Sequence, residues 1–519
     1  METDVLVVGA GPTGLMLSAW LTRLGVAHEL VDGKAEPTRQ SRALGVHSRS
    51  MEIYAQLGMI DPVRDRVTWA PRVRPGWESR AAAGGLPLGR LGSRQTPYPG
   101  VHILEQSVNE RLLLAHLESL GGQVSWRHRL ETLTDHGTHV EAGLEGPDGQ
   151  RTVTARWCVG ADGAGSRVRT LSGIGFGGVT NPQTFWLADA RGVRGTTEGA
   201  INIRAGSDRF LITFPMPGRG HHRIIGMVSD TRGDGPGGDG SEIAEDDVRG
   251  PTARQFGVEY DVADWFTTYR IHHRVAERFR SGRVLLAGDA AHVHSPVGAQ
   301  GMNTGLQDAH NLAFKLADVV AGRAHERLMD RYAAERVPVA HRLVGTTDRI
   351  FRAVISPAPA AVRVRRFVVP TLVPLIGALL PLLPGSERIA QYIGQTRIHY
   401  WMSGADRRRG KRGKVVGRRL PWTGANHDCL TAATWQVHAY GSPLPPLEGL
   451  PVLVEQTHRF DPRHELGLTP ERWLLVRPDG FVAAAAVPEE AGTVFAEVLR
   501  EHGYHDEVLV AQGSVRSRT

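Results

Sequence analysis

The chain has 519 residues, a formal net charge of +7 and 41% hydrophobic residues, enough apolar material for several buried cores. That length exceeds one ordinary domain and predicts two or three. No repeat period and no long low-complexity tract is present, which excludes a solenoid, a fibre or a disordered chain. Nearly all the positive charge is Arg, with Lys only at Lys34, Lys315, Lys411 and Lys414, a skew that points to a GC-rich genome rather than to a function.

Glu2 and Asp4 lead at once into an apolar strand, Val5 to Val8, leaving no room for a signal peptide, so a cytoplasmic location is the expectation. Gly9-Ala10-Gly11-Pro12-Thr13-Gly14 follows and opens an apolar helix, Leu15 to Leu24. This is the strand–turn–helix context of a dinucleotide site. Gly9 permits the tight turn, Gly11 lets the backbone approach a pyrophosphate, and Gly14 lets helix and strand pack closely. A second strand, Ala27 to Val31, ends at Asp32, near the ~20-residue separation expected of a carboxylate that accepts ribose hydroxyls. The same glycine spacing recurs at Gly173, Gly175, Gly178 and at Gly235, Gly237, Gly240, but neither lies between a strand and a helix: the first runs into Val-Thr-Asn-Pro, and the second reads as a flexible loop.

The strand Trp157-Cys158-Val159-Gly160 runs into Ala161-Asp162-Gly163. Cys158 and Cys429 are the only cysteines, far apart, so a disulfide framework and a C-x-x-C redox pair are both excluded. From about Phe176 to Arg274 the character changes to strand-like runs punctuated by Gly and Pro, such as Ala200 to Ile203 and Phe210 to Phe214. A mixed sheet follows, with part of Trp69 to Tyr98 added to it. Trp186, Arg204 and Phe214 are its candidate substrate-facing residues.

Another buried strand, Val284 to Ala287, ends at Gly288-Asp289, followed by Pro296-Val297-Gly298-Ala299-Gln300-Gly301-Met302-Asn303 and a helix from about Thr304 to Val320. Gly298 and Gly301 allow backbone to approach a planar ring, and the helix start can stabilise negative charge on it. His292 and His294 have no third partner at a familiar zinc spacing, so no metal site is expected there. Phe367 to Pro384 is apolar, but Pro370, Pro374, Pro381 and Pro384 would interrupt a spanning helix, so short packed helices are predicted and no membrane partner. The basic run Arg407 to Lys414 has no interleaved aromatics or reading module, so it is read as an interdomain loop, with no nucleic-acid partner. Beyond it, strands at Val452 to Val454 and Trp473 to Val476, a turn at Arg477 to Val482 and a helix from about Glu489 to His502 form a separate unit.

Taken together, Gly9, Gly11, Gly14 and Asp32, the segment Ser41-Arg42-Ala43, Gln106, Asp162-Gly163 with Ser166-Arg167, and Gly288-Asp289 through Asn311 resemble the single-component (class A) flavoprotein aromatic monooxygenases of the p-hydroxybenzoate hydroxylase fold. The aromatic polyketide hydroxylase branch is the most similar. The likeness covers roughly residues 1 to 400, with the motifs in the family's order. It implies an α/β architecture: a Rossmann-like FAD-binding domain (1–175 and 275–400, with a helical extension), a mixed β-sheet substrate domain (176–274 with part of 69–98) and a C-terminal thioredoxin-like domain (415–519). Lacking paired cysteines, that last domain is expected to serve packing or dimer support.

By the same resemblance, Arg42 and Gln106 contact the FAD pyrophosphate or ribityl chain. Asp289 holds ribityl hydroxyls, Asp162 serves the second dinucleotide motif, and the backbone at Pro296 and at Gly301 to Asn303 lines the flavin ring. Pro12, Thr13 and Gly298 belong to the same cofactor set. Ala299 departs from the pattern, since many relatives carry a third glycine there. The implied reaction uses NADPH or NADH to reduce FAD, and O₂ then forms a flavin C4a-hydroperoxide that hydroxylates a polycyclic aromatic or polyketide-type substrate of antibiotic biosynthesis. The alternative is an FAD-containing non-redox cyclase or ligand-binding protein on the same fold. His47, His292 and His294 fall near the implied flavin region, but no catalytic residue is assigned.

Overall fold

The structure, a computed structural model, describes residues 2–39, 43–207, 209–228, 243–294, 300–356, 358–380, 383, 385–410 and 412–513. Strand Glu2–Val8 lies inside a parallel layer whose order is Val124–Trp126, His28–Asp32, Glu2–Val8, Gly149–Gly160, Val284–Leu286. Val5, Leu6 and Val7 are fully buried, because an antiparallel meander, Arg129–Asp135 and Val140–Gly146, folds from strand Gly149–Gly160 and helices cover the sheet. A strand covered on both faces reads as a continuous apolar run. Helix Pro12–Arg23 packs against both Gln106–Ser119 and Gly301–Val320 on this layer.

A second sheet carries the chain away from the first along two long antiparallel strands, Phe176–Arg191 and Val262–Ala276. His222–Val228, Phe210–Pro215, Ala200–Ala205, Arg72–Trp77 and Arg80–Ala81 extend it in that order. One face packs Phe185, Leu187, Ile212 and Phe214 into an apolar cluster. The opposite face packs Trp186, Ala188, Leu211 and Ile224 under helix Glu245–Phe256. A small sheet of Gly45–His47, Val101–Ile103 and Thr68–Ala70 bridges the two layers.

Near the C-terminus, strands Val454–Phe460, Trp435–Tyr440, Trp473–Val476 and Val482–Ala486 form a four-stranded mixed sheet packed by helix Ala491–His502. Its hairpin is driven into the first unit: Arg477 Nη1 donates to Glu335 Oε1 at 2.7 Å, and Arg49 Nη2 donates to the carbonyl of Asp479 at 2.7 Å, all buried. Burial pushes against ionisation of Glu335, but Arg477, Lys315 and Arg331 together hold its carboxyl well below the usual range.

Two sequence expectations change here. Helix Pro359–Leu379 runs unbroken through Pro370 and Pro374 instead of dividing into short pieces. The two prolines stand four residues apart, so the missing N–H bonds fall on one side of the helix. The helix lies against strand Arg72–Trp77, and at Gly377 it approaches the segment beyond that strand so closely that a Cβ would stand 2.6 Å from the carbonyl of Gly85. No helix among the described residues is long and apolar enough to cross a membrane. The strand expected at Val452 to Val454 instead spans Val454–Phe460, a largely polar segment.

A candidate nucleotide and substrate cavity

The four strand-end motifs meet because their strands end level with one another. Val8 pairs with Val31 on one side and Gly160 on the other, and Gly160 pairs with Leu286. The first residues beyond these pairs continue the ladder: Gly9 N–H donates to Val31 O, Ala161 N–H to Val8 O and Ala287 N–H to Gly160 O, at 2.8 to 2.9 Å. Motifs far apart in sequence therefore line one edge, the carboxyl end of a parallel sheet, where open α/β folds bind ligands.

A cavity of about 870 Å³ opens along this edge, lined by Gly9, Gly11, Pro12, Thr13, Asp32, Gln106, Asp162, Asp289, Gly301 and Met302 among the expected cofactor residues. Gly9 has φ +106° and a Cβ there would lie 2.4 Å from Ala161 O, so the two motifs touch through backbone alone. Gly14 does not line the cavity. A Cβ on it would fall 1.8 Å from Gly9 O, which makes it the contact that lets helix Pro12–Arg23 seat on the strand. At Gly11 the reverse holds: a Cβ would meet no protein atom within 4 Å, and its side is open to the cavity at the helix N-terminus.

Asp32 is fixed from both oxygens, Oδ2 accepting Ala10 N–H at 2.6 Å and Oδ1 accepting Lys34 N–H at 2.8 Å. Glu110, absent from the sequence expectations, receives Gln106 Nε2 at 2.9 Å and Thr38 N–H at 2.9 Å and so ties the helix Gln106–Ser119 to the loop after Asp32. Asp162 Oδ2 caps helix Arg167–Leu171 through the N–H groups of Arg167 and Val168, at 2.8 and 3.1 Å. Its Oδ1 is buried without a hydrogen-bond partner among the described residues, and burial pushes its pKa up.

Asp289 sits in the 3₁₀ turn Gly288–Ala290, where it is solvent-exposed and lines the cavity. Surrounding protein raises its pKa, His292 opposes this and Asp308 adds to it. Below the turn, Asp308 accepts Gly288 N–H at 3.1 Å and faces His292 Nε2 at 2.7 Å. His292 Nε2 is thus engaged by a carboxylate, and His294 borders the cavity.

Helix Gly301–Val320 begins three residues earlier than expected, so Gly301 and Met302 enter the lining from its first turn. Asn303 turns away: fully buried, it accepts His47 N–H at 2.8 Å and Ser50 Oγ–H at 2.7 Å. Arg42, Pro296 and Gly298 lie outside the described residues.

The far wall comes from the second sheet. Trp265, Thr267, Tyr269 and Ile271 occupy alternate positions of strand Val262–Ala276 and share one face with Phe214 and Ile225. Arg223, paired across the strands with Phe214 and so on the same face, adjoins this wall, its guanidinium 5.6 Å from the Trp265 ring and bound by Asp189 through two 2.5 Å bonds. Of the three proposed substrate-facing residues, only Phe214 lines the cavity. Trp186 and Arg204 are buried on the opposite face, Trp186 against Gly226 and Phe266, Arg204 against Gly76 and the Gly195 carbonyl. Strand alternation is the reason: Trp186 lies one residue from Phe185, which belongs to the cavity-side cluster. The alternating Trp265-x-Thr267-x-Tyr269-x-Ile271 pattern was the available sequence signal for the true wall.

The implied FAD fits this set of residues. The site offers an unobstructed helix N-terminus at Gly11, an anchored carboxylate at Asp32, a second carboxylate at Asp289 and an aromatic chamber continuous with them. Its volume is at the upper end of small-molecule and cofactor sites, roughly 300–1,000 Å³.

Comparison with known proteins agrees with this geometry. A sequence-family model described as "FAD binding domain" matches residues 2–347. The chain is 33% identical to 6-methylpretetramide 4-monooxygenase of Streptomyces rimosus, over 99% of this chain and 96% of that protein. Among solved structures it is similar to OxyS, an anhydrotetracycline hydroxylase from Streptomyces rimosus, with a TM-score of 0.76, 30% identity and coverage of 96% and 99% of the two chains. CabE, an aromatic hydroxylase from angucycline biosynthesis, superposes with a TM-score of 0.77 at 28% identity, covering 99% of this chain and all of the other.

Proposed function

The chain belongs to the FAD-binding-domain family of flavoprotein monooxygenases, and from that premise we propose that it hydroxylates an aromatic polyketide with FAD, NAD(P)H and O₂. The observation that carries this reading is the continuity of one cavity from the Gly9–Gly14 turn to the Phe214, Trp265 and Tyr269 wall. Bound FAD would supply the redox chemistry, with electrons from NAD(P)H and O₂ as the oxygen source.

The protein's own residues bind, orient and enclose. The N-terminus of helix Pro12–Arg23, open at Gly11, holds the pyrophosphate. Asp32 accepts the ribose hydroxyls, and Asp289 with Gln106 holds the ribityl chain. Gly301 and Met302, at the start of a long helix, bring partial positive charge to the ring edge. The aromatic and aliphatic wall binds a flat, fused-ring substrate and excludes water, so that oxygen goes to carbon instead of being lost as H₂O₂.

Supporting the thioredoxin-like reading of the tail is its four-stranded sheet and flanking helix, and the docked Arg477–Asp479 hairpin braces helix Gly301–Val320 through Asn311. Val364, Phe367 and Leu372, exposed on helix Pro359–Leu379, support a homodimer.

The test is a reaction of the FAD-loaded protein with 6-methylpretetramide and anhydrotetracycline, the substrates in its relatives' names, with NADH and NADPH compared. One O₂ and one reduced nicotinamide should be consumed per product bearing one added oxygen. Product that forms equally well without reductant and O₂ would replace oxygenation with a non-redox reaction.

A further inference from the structure

The polar strand Val454–Phe460 repeats a pattern found in its neighbour. Strands Trp435–Tyr440 and Val454–Phe460 run parallel, with Gln436 opposite Gln456 and His438 opposite His458. Because side chains alternate, both imidazoles project from the same face of the sheet. Their ring centroids are 5.3 Å apart, at 75°.

The 3₁₀ helix Ala425–Ala432 covers that face and is tied to it by Gln436 Nε2, which donates to Cys429 O at 2.7 Å. Cys429 Sγ lies 3.6 Å from His438 Nε2. Cys429 Sγ and one ring nitrogen of each histidine all lie within 4.8 Å of one another. A thiolate about 2.3 Å and an imidazole nitrogen about 2.0 Å from a tetrahedral zinc ion stand roughly 3.6 Å apart. The cysteine and first histidine are therefore already at ligation distance, and His458 must close by about 1 Å to join them.

His438 is fully buried, and its Nδ1 has no hydrogen-bond partner among the described residues. The ring nitrogen that faces the thiol is the other one, Nε2, which Gln436 Oε1 also approaches. None of the three residues lines the nucleotide and substrate cavity.

We propose that Cys429, His438 and His458 form a binding site for one thiophilic d¹⁰ cation, with Zn²⁺ as the ion of choice, which fastens the 3₁₀ helix to two strands of the C-terminal sheet. Gln436 Oε1, 2.9 Å from His438 Nε2, holds the first ring in place. Gln456, paired with His458 Nε2 at 3.1 Å, orients the second ring. Binding breaks the Cys429 S–H bond and forms Zn–S, releasing one proton to solvent with no change of oxidation state. Because a thiol proton leaves on binding, zinc affinity rises with pH.

The experiment uses the full-length, FAD-loaded protein after dialysis against a chelator, titrated with Zn²⁺ by calorimetry and separately with Co²⁺ by absorbance. One metal per chain, one proton released, and a thiolate-to-cobalt charge-transfer band with strong tetrahedral visible bands are expected. Cys429→Ser should remove the charge-transfer band, and His458→Gln, at a half-buried position that tolerates change, should weaken zinc binding at least about 10-fold. An unchanged flavin-to-protein ratio in both variants shows that they are folded. Cobalt spectra without the thiolate band, or equal zinc affinity in wild type and His458→Gln, would overturn the proposal.

Discussion

Asp308 and Arg336 form a fully buried ion pair directly beneath the Gly288–Asp289 turn, with Arg336 Nε donating to Asp308 Oδ1 at 2.5 Å. Arg336 also reaches the carbonyl of Thr304 at 3.1 Å and the hydroxyl of Tyr400 at 2.9 Å. The pair thus joins the turn, the helix Gly301–Val320 and the segment after the helical extension. Burial alone would raise the Asp308 carboxyl, but Arg336 and His292 hold it below the usual range.

Removing one member of such a pair leaves a buried charge uncompensated. Arg336→Met should cost about 3–5 kcal/mol in urea unfolding, and the loosened turn should lower FAD retention on gel filtration. A variant with wild-type stability and full flavin content would show that the pair holds neither.

Two glycines of one motif should fail in different ways. Gly11 has φ −80° and open space on its Cβ side, so Gly11→Val should fold with near-wild-type stability of the cofactor-free protein yet purify colourless. Gly14→Ala drives a methyl into the Gly9 carbonyl and should reduce soluble yield and melting temperature before any question of cofactor arises. Flavin absorbance against protein concentration, together with the thermal midpoint, separates the two.

The two faces of the second sheet should separate stability from substrate affinity. Trp186→Ala removes a buried ring from beneath helix Glu245–Phe256 and should cost about 3–5 kcal/mol while leaving KM for an accepted substrate unchanged. Phe214→Ala, on the cavity face, should raise KM about tenfold, a loss of about 1.4 kcal/mol of binding. A Trp186 variant that changed KM alone would reverse the assignment of faces.

Stability should fall on mild acidification, in two stages. Burial depresses His102 and His427 from the ordinary 6.5 to about 4. Between those values the unfolded chain binds more protons than the folded one, so the stabilisation is complete above pH 6.5 and disappears as pH falls towards 4. Glu335 and Asp308, with depressed carboxyls, add a further loss below the ordinary carboxylate range near pH 4. Melting temperatures from pH 8 to pH 3.5 should be flat above 7 and decline in both lower intervals. A His102→Leu variant should show a shallower first decline.

Much of the nucleotide half was legible because its signals are local. Gly9, Gly11, Gly14 and Asp32 announce themselves by the strand before and the helix after, and Gly288-Asp289 by a buried strand. The Gly173 and Gly235 spacings were set aside by the same context. The substrate wall was not legible, since Trp186 and Phe214 look alike as strand aromatics and only pairing fixes which face each one takes. The strand Trp435–Tyr440 escaped notice, and Val454–Phe460 was anticipated only at its first residue, because the face they share carries Gln and His in place of aliphatic residues.

By itself, then, the sequence determined the local chemistry: where the backbone can turn tightly, where a carboxylate ends a strand, and which segments are apolar enough to be buried. The tertiary structure decided what those pieces share. Level strand ends at Val8, Val31, Gly160 and Leu286 place four turns on one edge, while the period-2 pleat sends Phe214 into the cavity and Trp186 away from it. Register and facing are properties of paired strands, fixed by hydrogen bonds between residues up to hundreds of positions apart, and no single segment carries that information.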